Sequence, residues 1–272
     1  MRQYRLIYDQ PTNGKLNMAI DEAIMTAVAA GESPPTLRFY AWNPPCLSLG
    51  YGQRWKQSVD IERLEEQGWE VVRRATGGRA ILHTDELTYS ITVPDNHFLA
   101  KGQVVESYRR ISQAFVTALA QLGLNPHADR HAGGAKSTNP VCFEVPSDYE
   151  ITTPDGRKLI GSAQIRRKGV VLQHGSLPLH GDLGRICDAL IYSDEIKREE
   201  AKVKVHSRAA TLADALNGKA IHWQEAAEAI ANSFAETFEF AFFEGELSSA
   251  EITNSETLLE TVYDNPEWTY RK

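Results

Sequence analysis

EVVRRATGGRAILHTDELTYSITV, residues 70–93, sets three strand-like runs around a Gly-Gly pair and decides the fold class. Residues 70–74, 79–83 and 87–93 are short, rich in β-branched and apolar side chains, and separated by turn residues, which predicts strands. Upstream, residues 6–8, 37–42 and 46–49 read the same way, the last two split by Pro44-Pro45. Downstream, residues 148–153 and 157–164 flank Thr153-Pro154-Asp155-Gly156, a good turn sequence. Residues 164–173 predict a second hairpin around Arg167-Lys168-Gly169. Helices fall between these runs. Asn17 is the expected N-cap of a helix to Ala30, with Ile20, Ala23, Ile24, Ala27 and Val28 at helical spacing and Gly31 as its stop. Residues 59–67, 104–122, 223–238 and 250–263 are also helical by pattern, and Ser248 with Glu251 forms a capping box for the last. Residues 125–146, rich in Gly, Pro, His and Ser, predict a long functional or mobile loop. Strands and hairpins interleaved with a few helices, without regular alternation, define an α+β fold with a mixed, largely antiparallel sheet flanked by helices. The 272 residues are expected to form one catalytic domain, 245–272 being a C-terminal helical extension.

Composition narrows the function. The net charge is −7, against the basic excess of a general nucleic-acid binder, and the basic clusters are short: Arg73-Arg74, Arg166-Arg167-Lys168 and 202–204. No apolar run reaches membrane-spanning or signal-peptide length. Cys46, Cys142 and Cys187 are far apart and odd in number, which argues against a disulfide framework or a Cys-x-x-Cys metal site and for a cytoplasmic setting. His127 and His131 have no third ligand nearby, so no metal is expected. Residues 133–138, GGAKST, imitate a phosphate-binding loop, but Ala135 stands where that motif needs Gly before Lys.

Four constellations remain. Gly77-Gly78 lets a backbone approach a ligand and expose N–H groups, while Arg74 and Thr76 offer donors to a carbonyl or carboxylate oxygen; the same residues also read as a plain hairpin turn with a charged rim. Cys46 and Cys187 sit in apolar segments and read as small buried hydrophobes. Cys142, in a polar loop after Pro140, fits that reading less well and is a candidate nucleophile; Lys158 is the candidate cation to lower its pKa. Lys158 precedes the small run Gly161-Ser162-Ala163, consistent with a narrow tunnel or with close packing under an exposed lysine. Gln173-His174-Gly175-Ser176 completes the set, its histidine being catalytic or structural.

Together, RRATGGRAILH (73–83), KLIGSAQ (158–164) and QHGSLPL (173–179) resemble the lipoate/biotin protein ligase-like superfamily in content and order. Asn17-x-Ala19-x-Asp21, Leu47-Ser48-Leu49-Gly50-Tyr51-x-Gln53 and Tyr263-x-Asn265-x-Glu267-Trp268 extend the resemblance over nearly the whole chain. Arg79 stands where the ATP-dependent ligases of that superfamily tend to have a third glycine, and 140–147 resembles the cysteine loop of LipM-type octanoyltransferases. Thr84 follows His83 where many relatives have Asp; Asp85 comes next, leaving the role of the acid open.

The resemblance implies a biotin/lipoate-ligase-like catalytic fold and a protein N-octanoyltransferase that needs no cofactor. Cys142 would accept the acyl group with Lys158 as its partner. Arg74, Thr76, Gly77, Gly78, His83, Gly161, Ser162, Ala163, His174 and Gly175 would line the acyl and carbonyl pocket. The implied partners are octanoyl-acyl carrier protein and a lipoyl-carrier protein such as glycine-cleavage H protein. No long exposed apolar stripe stands out in the sequence, so a monomer is expected. Such acyl carriers are acidic, so 166–168 reads either as a docking patch or as a solvated hairpin tip. An ATP-dependent lipoate-protein ligase, an amidotransferase between carrier proteins and a silent carrier-binding protein are the competing readings.

Overall fold

Residues 3–129 and 150–271 are described in the computed structural model. Eight strands form one sheet in the order β11-β1-β2-β6-β10-β9-β8-β7. They are β1 (Gln3–Tyr8), β2 (Thr36–Tyr40), β6 (Glu86–Pro94), β7 (His127–Asp129), β8 (Glu150–Thr152), β9 (Lys158–Arg167), β10 (Val170–Pro178) and β11 (Ala241–Glu244). The pairs β1–β2 and β1–β11 are parallel, the others antiparallel. β3 (Cys46–Leu49), β4 (Glu70–Arg73) and β5 (Ile81–His83) form a second sheet in the order β4-β3-β5. The segment expected as a Gly-Gly hairpin is therefore not one. β3 lies between β4 and β5, and 74–80 crosses from one edge of the small sheet to the other.

Each face of the large sheet is covered. Helices α3 (Val104–Gln121) and α6 (Trp223–Phe238) close one face, where Phe115 stands between Tyr89 of β6, 4.4 Å away by ring centroids, and Phe234, 5.4 Å away. On the other face α1 (Gly14–Ala30) packs Ile20 and Ile24 against Val170 and Leu172 of β10. Its Met18 and Ala19 meet Tyr40, Trp42, Cys46 and Val72, so α1 is wedged between the two sheets. The helix starts earlier than expected. Asn13, not Asn17, is its N-cap, with Oδ1 accepting from Leu16 N at 2.9 Å. Asn17 is fully buried and donates from Nδ2 to the carbonyls of Thr12 and Ala41. Gly31 ends the helix in the left-handed region, φ 73°.

The β9–β10 hairpin turns at Lys168 and Gly169, both at positive φ, which matches the twist of a two-residue hairpin. Between β8 and β9 the register jumps: Ile151 faces Ile160, but Thr152 faces Lys158. The extra residue turns Lys158 to the face of the sheet shared by Glu150, Gly161 and Ala163. Helix α2 (Ile61–Glu66), α4 (Glu195–Arg208) and the 3₁₀ turn Leu183–Ala189 cover the small sheet. After α5 (Leu212–Ala215), α6 and β11, the chain returns through α7 (Ser249–Leu258) and α8 (Pro266–Thr269). Glu251, within the expected capping box of α7, grips the buried Arg5, and Arg73 Nε donates to Thr269 O at 2.9 Å. Among the described residues, no helix is long and apolar enough to cross a membrane.

Candidate active site

Between the large sheet and the small one lies a small, narrow pocket. Its floor follows the strand order β9, β10, β6, β2, through Gly161 and Ala163, His174 and Ser176, Thr88, and Tyr40. Its roof comes from Ser48, Arg74, Gly78, Ile81 and His83, and Met18 and Trp42 close the α1 side. Adjacent strands are about 4.8 Å apart, so crossing three gaps spans roughly 14 Å. The floor is smooth because Gly161 has no side chain and Ala163 only a methyl.

Two buried histidines stand in the walls, each fixed by a carboxylate. His174 Nδ1 faces Asp21 Oδ2 at 3.4 Å, and its Nε2 is 2.6 Å from Thr76 Oγ1. The carboxylate claims the N–H, so Nε2 accepts from the threonine hydroxyl. Burial pushes the His174 pKa below the ordinary histidine value, outweighing the pull of Asp21, and the ring is neutral at pH 7. Asp21 is itself buried, which raises its pKa, but His174, Arg38 and Ser90 together hold it below the usual carboxylate value. Arg38 Nη1 is 2.9 Å and Ser90 Oγ 2.7 Å from Asp21 Oδ1.

His83 is held in the same manner. Its Nδ1 is 2.6 Å from Glu86 Oε1, its Nε2 is 2.7 Å from Ser48 Oγ, and its ring stacks on Trp42 at 3.9 Å. The acid that serves His83 is thus Glu86, three residues on. Asp85 instead pairs with Arg185, and Thr84 Oγ1 accepts from the same guanidinium. Thr88 and Ser176 also donate to Glu86, leaving that buried carboxylate well satisfied.

Arg74 lines the pocket, yet much of its donor capacity is directed at the protein. Nη1 reaches Ser48 O and Oγ at 2.9 and 3.0 Å, and Nη2 reaches the carbonyls of Gly77 and Arg79 at 3.0 and 2.7 Å. Its guanidinium braces the Gly-Gly segment from inside. Gly77 is exposed and outside the pocket lining, and Thr76 acts on the pocket through His174. Lys158 lies three residues along β9 from Gly161, about 10 Å at most, buried and 2.8 Å from Glu150 Oε1. Cys142, His131 and 133–138 lie outside the described residues.

Of the expected site residues, the structure brings Arg74, Gly78, His83, Gly161, Ser162, Ala163, His174 and Gly175 to one pocket. Sequence reasoning did not assign Met18, Asp21, Trp42, Ser48, Glu86, Thr88 or Glu150 a part in it. Glu86 at three residues from His83 was the one available local signal; the others depend on contacts distant in sequence. Cys46 and Cys187 are fully buried, and burial raises the Cys46 thiol well above its ordinary pKa, as expected for packed cysteines.

A mixed α+β frame carries a pocket between its two sheets, beside a Gly-Gly segment, with a buried lysine beyond its wall. Residues 13–235 match the lipoyl protein ligase A/B catalytic domain, and the chain belongs to that family. The octanoyltransferase LipM of Kyrpidia tusciae is 40% identical over the whole of both chains. That of Staphylococcus aureus is 37% identical over 94% of each. A bipartite lipoate protein ligase from Thermoplasma acidophilum, solved in a study that includes its E2 lipoyl domain, has a TM-score of 0.83 and 26% identity, covering 99% of this chain and 97% of that one. A lipoate-protein ligase A bound with ATP has a TM-score of 0.79 at 25% identity, with 98% of each chain covered.

Proposed function

We propose that this chain moves an octanoyl group from acyl carrier protein, through a thioester on Cys142, to a lysine of a lipoyl-carrier protein such as H protein. It is an octanoyltransferase of lipoate assembly. The observation that carries this reading is the 40% identity to an octanoyltransferase across the full length of both chains. Cys142 thiolate attacks the carrier thioester, and the carrier's thiol leaves as the new thioester forms. The acceptor lysine, as a neutral amine, then attacks that carbonyl; Cys142 thiolate leaves and the nitrogen loses its proton. Splitting the transfer lets two large proteins visit in turn. Amide formation from a thioester runs downhill, so no ATP is spent.

Lys158 favours the thiolate by its charge and stabilises the oxyanion of each tetrahedral intermediate. Glu150 holds that ammonium in place from β8. The octanoyl tail occupies the pocket between the sheets, where about six methylenes at roughly 0.8 kcal/mol each contribute on the order of 5 kcal/mol before ordering costs. His83 and His174 keep its walls rigid, and N–H groups near Gly77-Gly78 assist at the carbonyl. The chain works as one catalytic unit, residues 245–272 included, as a cytoplasmic monomer. The contacts of Arg5 and Arg73 with that last segment support this unity.

Octanoylation of an apo lipoyl domain, followed by mass with three donors, tests the reading. Octanoyl-acyl carrier protein without ATP is expected to suffice. Transfer only from free octanoate plus ATP means a ligase, and transfer only from octanoylated H protein means an amidotransferase; either result overturns the proposal.

A further inference from the structure

Most walls of the narrow pocket cannot give way. Tyr40 OH donates to Asp21 Oδ2 at 3.0 Å. Trp42 Nε1 donates to Thr88 Oγ1 at 2.8 Å, and its indole stacks on His83. His83 and His174 are held at both ring nitrogens, and Arg74 is committed to Ser48, Gly77 and Arg79. A buried side chain held in this way moves only by leaving polar atoms unpaired, which costs more than shifting an apolar contact. Among the described lining residues, two side chains larger than a methyl carry no polar group: Met18 and Ile81. Ile81 is β-branched and sits in β5 opposite Ser48 of β3, so its side chain is stiff. Met18 is unbranched and can rotate about three bonds.

The backbone that carries Met18 is fixed. Its neighbour Asn17 donates to the carbonyls of Thr12 and Ala41, and Arg38 donates to Asn17 O, Asn17 Oδ1 and Asp21 Oδ1. Helix α1 is thereby tied at this turn to the large sheet, which leaves the Met18 side chain as the part that moves. Met18 also stands at the end of the pocket remote from Lys158. The floor runs from β9, which carries Lys158, to β2, and Met18 packs there with Tyr40 and Trp42. We propose that Met18 is the end stop of the acyl site and sets the length of chain the enzyme takes. Its thioether turns aside for a tail that fits and meets the end of one that is too long. The assignment rests on the transferase reading above, which puts the acyl carbonyl at Lys158 and the tail between the sheets. Truncation to alanine removes Cγ, Sδ and Cε and leaves most of their volume open, because packed surroundings relax only in part.

Transfer to an apo lipoyl domain from the N-acetylcysteamine thioesters of hexanoate, octanoate, decanoate and dodecanoate gives kcat/KM at each length. In Met18→Ala the ratio of decanoyl to octanoyl transfer is expected to rise about tenfold or more, the scale on which a methylene is discriminated. Met18→Val, a smaller truncation, is expected to shift it the same way and keeps the test open should Met18→Ala not fold. Ile24→Ala controls for lost packing: it lies on the same helix, buried against β10 and outside the pocket lining, and is expected to keep the ratio of the unaltered protein. An unchanged ratio in the Met18 variants, or an equal shift in Ile24→Ala, overturns the assignment. Calorimetric titration with the free fatty acids of the same lengths separates the two claims. If the unaltered protein transfers no acyl group, the transferase reading fails, and the titration still decides the end stop: tightest binding moved to longer acids in Met18→Ala supports it, and an unmoved preference overturns it.

Discussion

His174 and His83 show how single residues make a rigid wall to the pocket. Each ring is fixed by a carboxylate on one nitrogen and a hydroxyl on the other, so neither is free to rotate. For His174 this has a pH consequence. Its folded pKa is lowered by burial, while the unfolded chain binds a proton near the ordinary value of about 6.5. Between those two values the unfolded state holds more protons, so stability rises with pH. The contribution is complete above the ordinary histidine value and is lost as pH falls toward the lower folded one. Asp21 is itself held below the usual carboxylate value. Thermal unfolding at pH 7.5 and 5.5 is expected to show a smaller drop in midpoint for His174→Gln than for the unaltered protein; equal drops contradict this.

At the scale of elements, β9 and β10 must run close together for the pocket floor to stay thin. A Cβ on Gly175 would lie 2.6 Å from Gly161 O and from Ser162 Oγ, and 2.8 Å from the Tyr89 ring. Part of that obstacle is backbone and cannot swing aside, so Gly175→Ala is expected to cost about 1–3 kcal/mol in urea unfolding, as overpacked cores do. A neutral effect would mean the strands separate easily. These elements were legible in sequence where their signals are local. Gly31 and Gly123 end helices, 153–156 turns β8 into β9, and Lys168-Gly169 makes the next hairpin. What was not legible depends on distant contacts. Nothing near 74–80 shows that β3 will insert between β4 and β5. Nothing near Asn17 shows that its amide is claimed by Thr12, Ala41 and Arg38, which leaves Asn13 to cap the helix. The candidate site was legible as a set of small residues and histidines. The partners that orient them, Asp21, Ser48 and Glu86, come from other elements or from across a turn.

Over the whole molecule, two sheets share α1, and the C-terminal segment straps both. Glu251 meets Arg5 of the large sheet; Thr269 O meets Arg73 of the small one; Tyr263 donates to Glu22 of α1 at 2.8 Å. Truncation after Glu244 removes these partners from two buried guanidinium groups. Breaking one buried pair costs about 3–5 kcal/mol, so the shortened chain is expected to melt far below the full one or not to fold. An unchanged midpoint would show that the strap is dispensable.

The proposed function routes an acyl group through one thiol, that of Cys142. Intact mass after mixing with octanoyl-acyl carrier protein, without ATP or acceptor, tests that most directly. The account predicts a gain of one octanoyl group, removed by hydroxylamine, absent in Cys142→Ala and slowed in Lys158→Ala. An unmodified protein, or a gain that persists in Cys142→Ala, contradicts it.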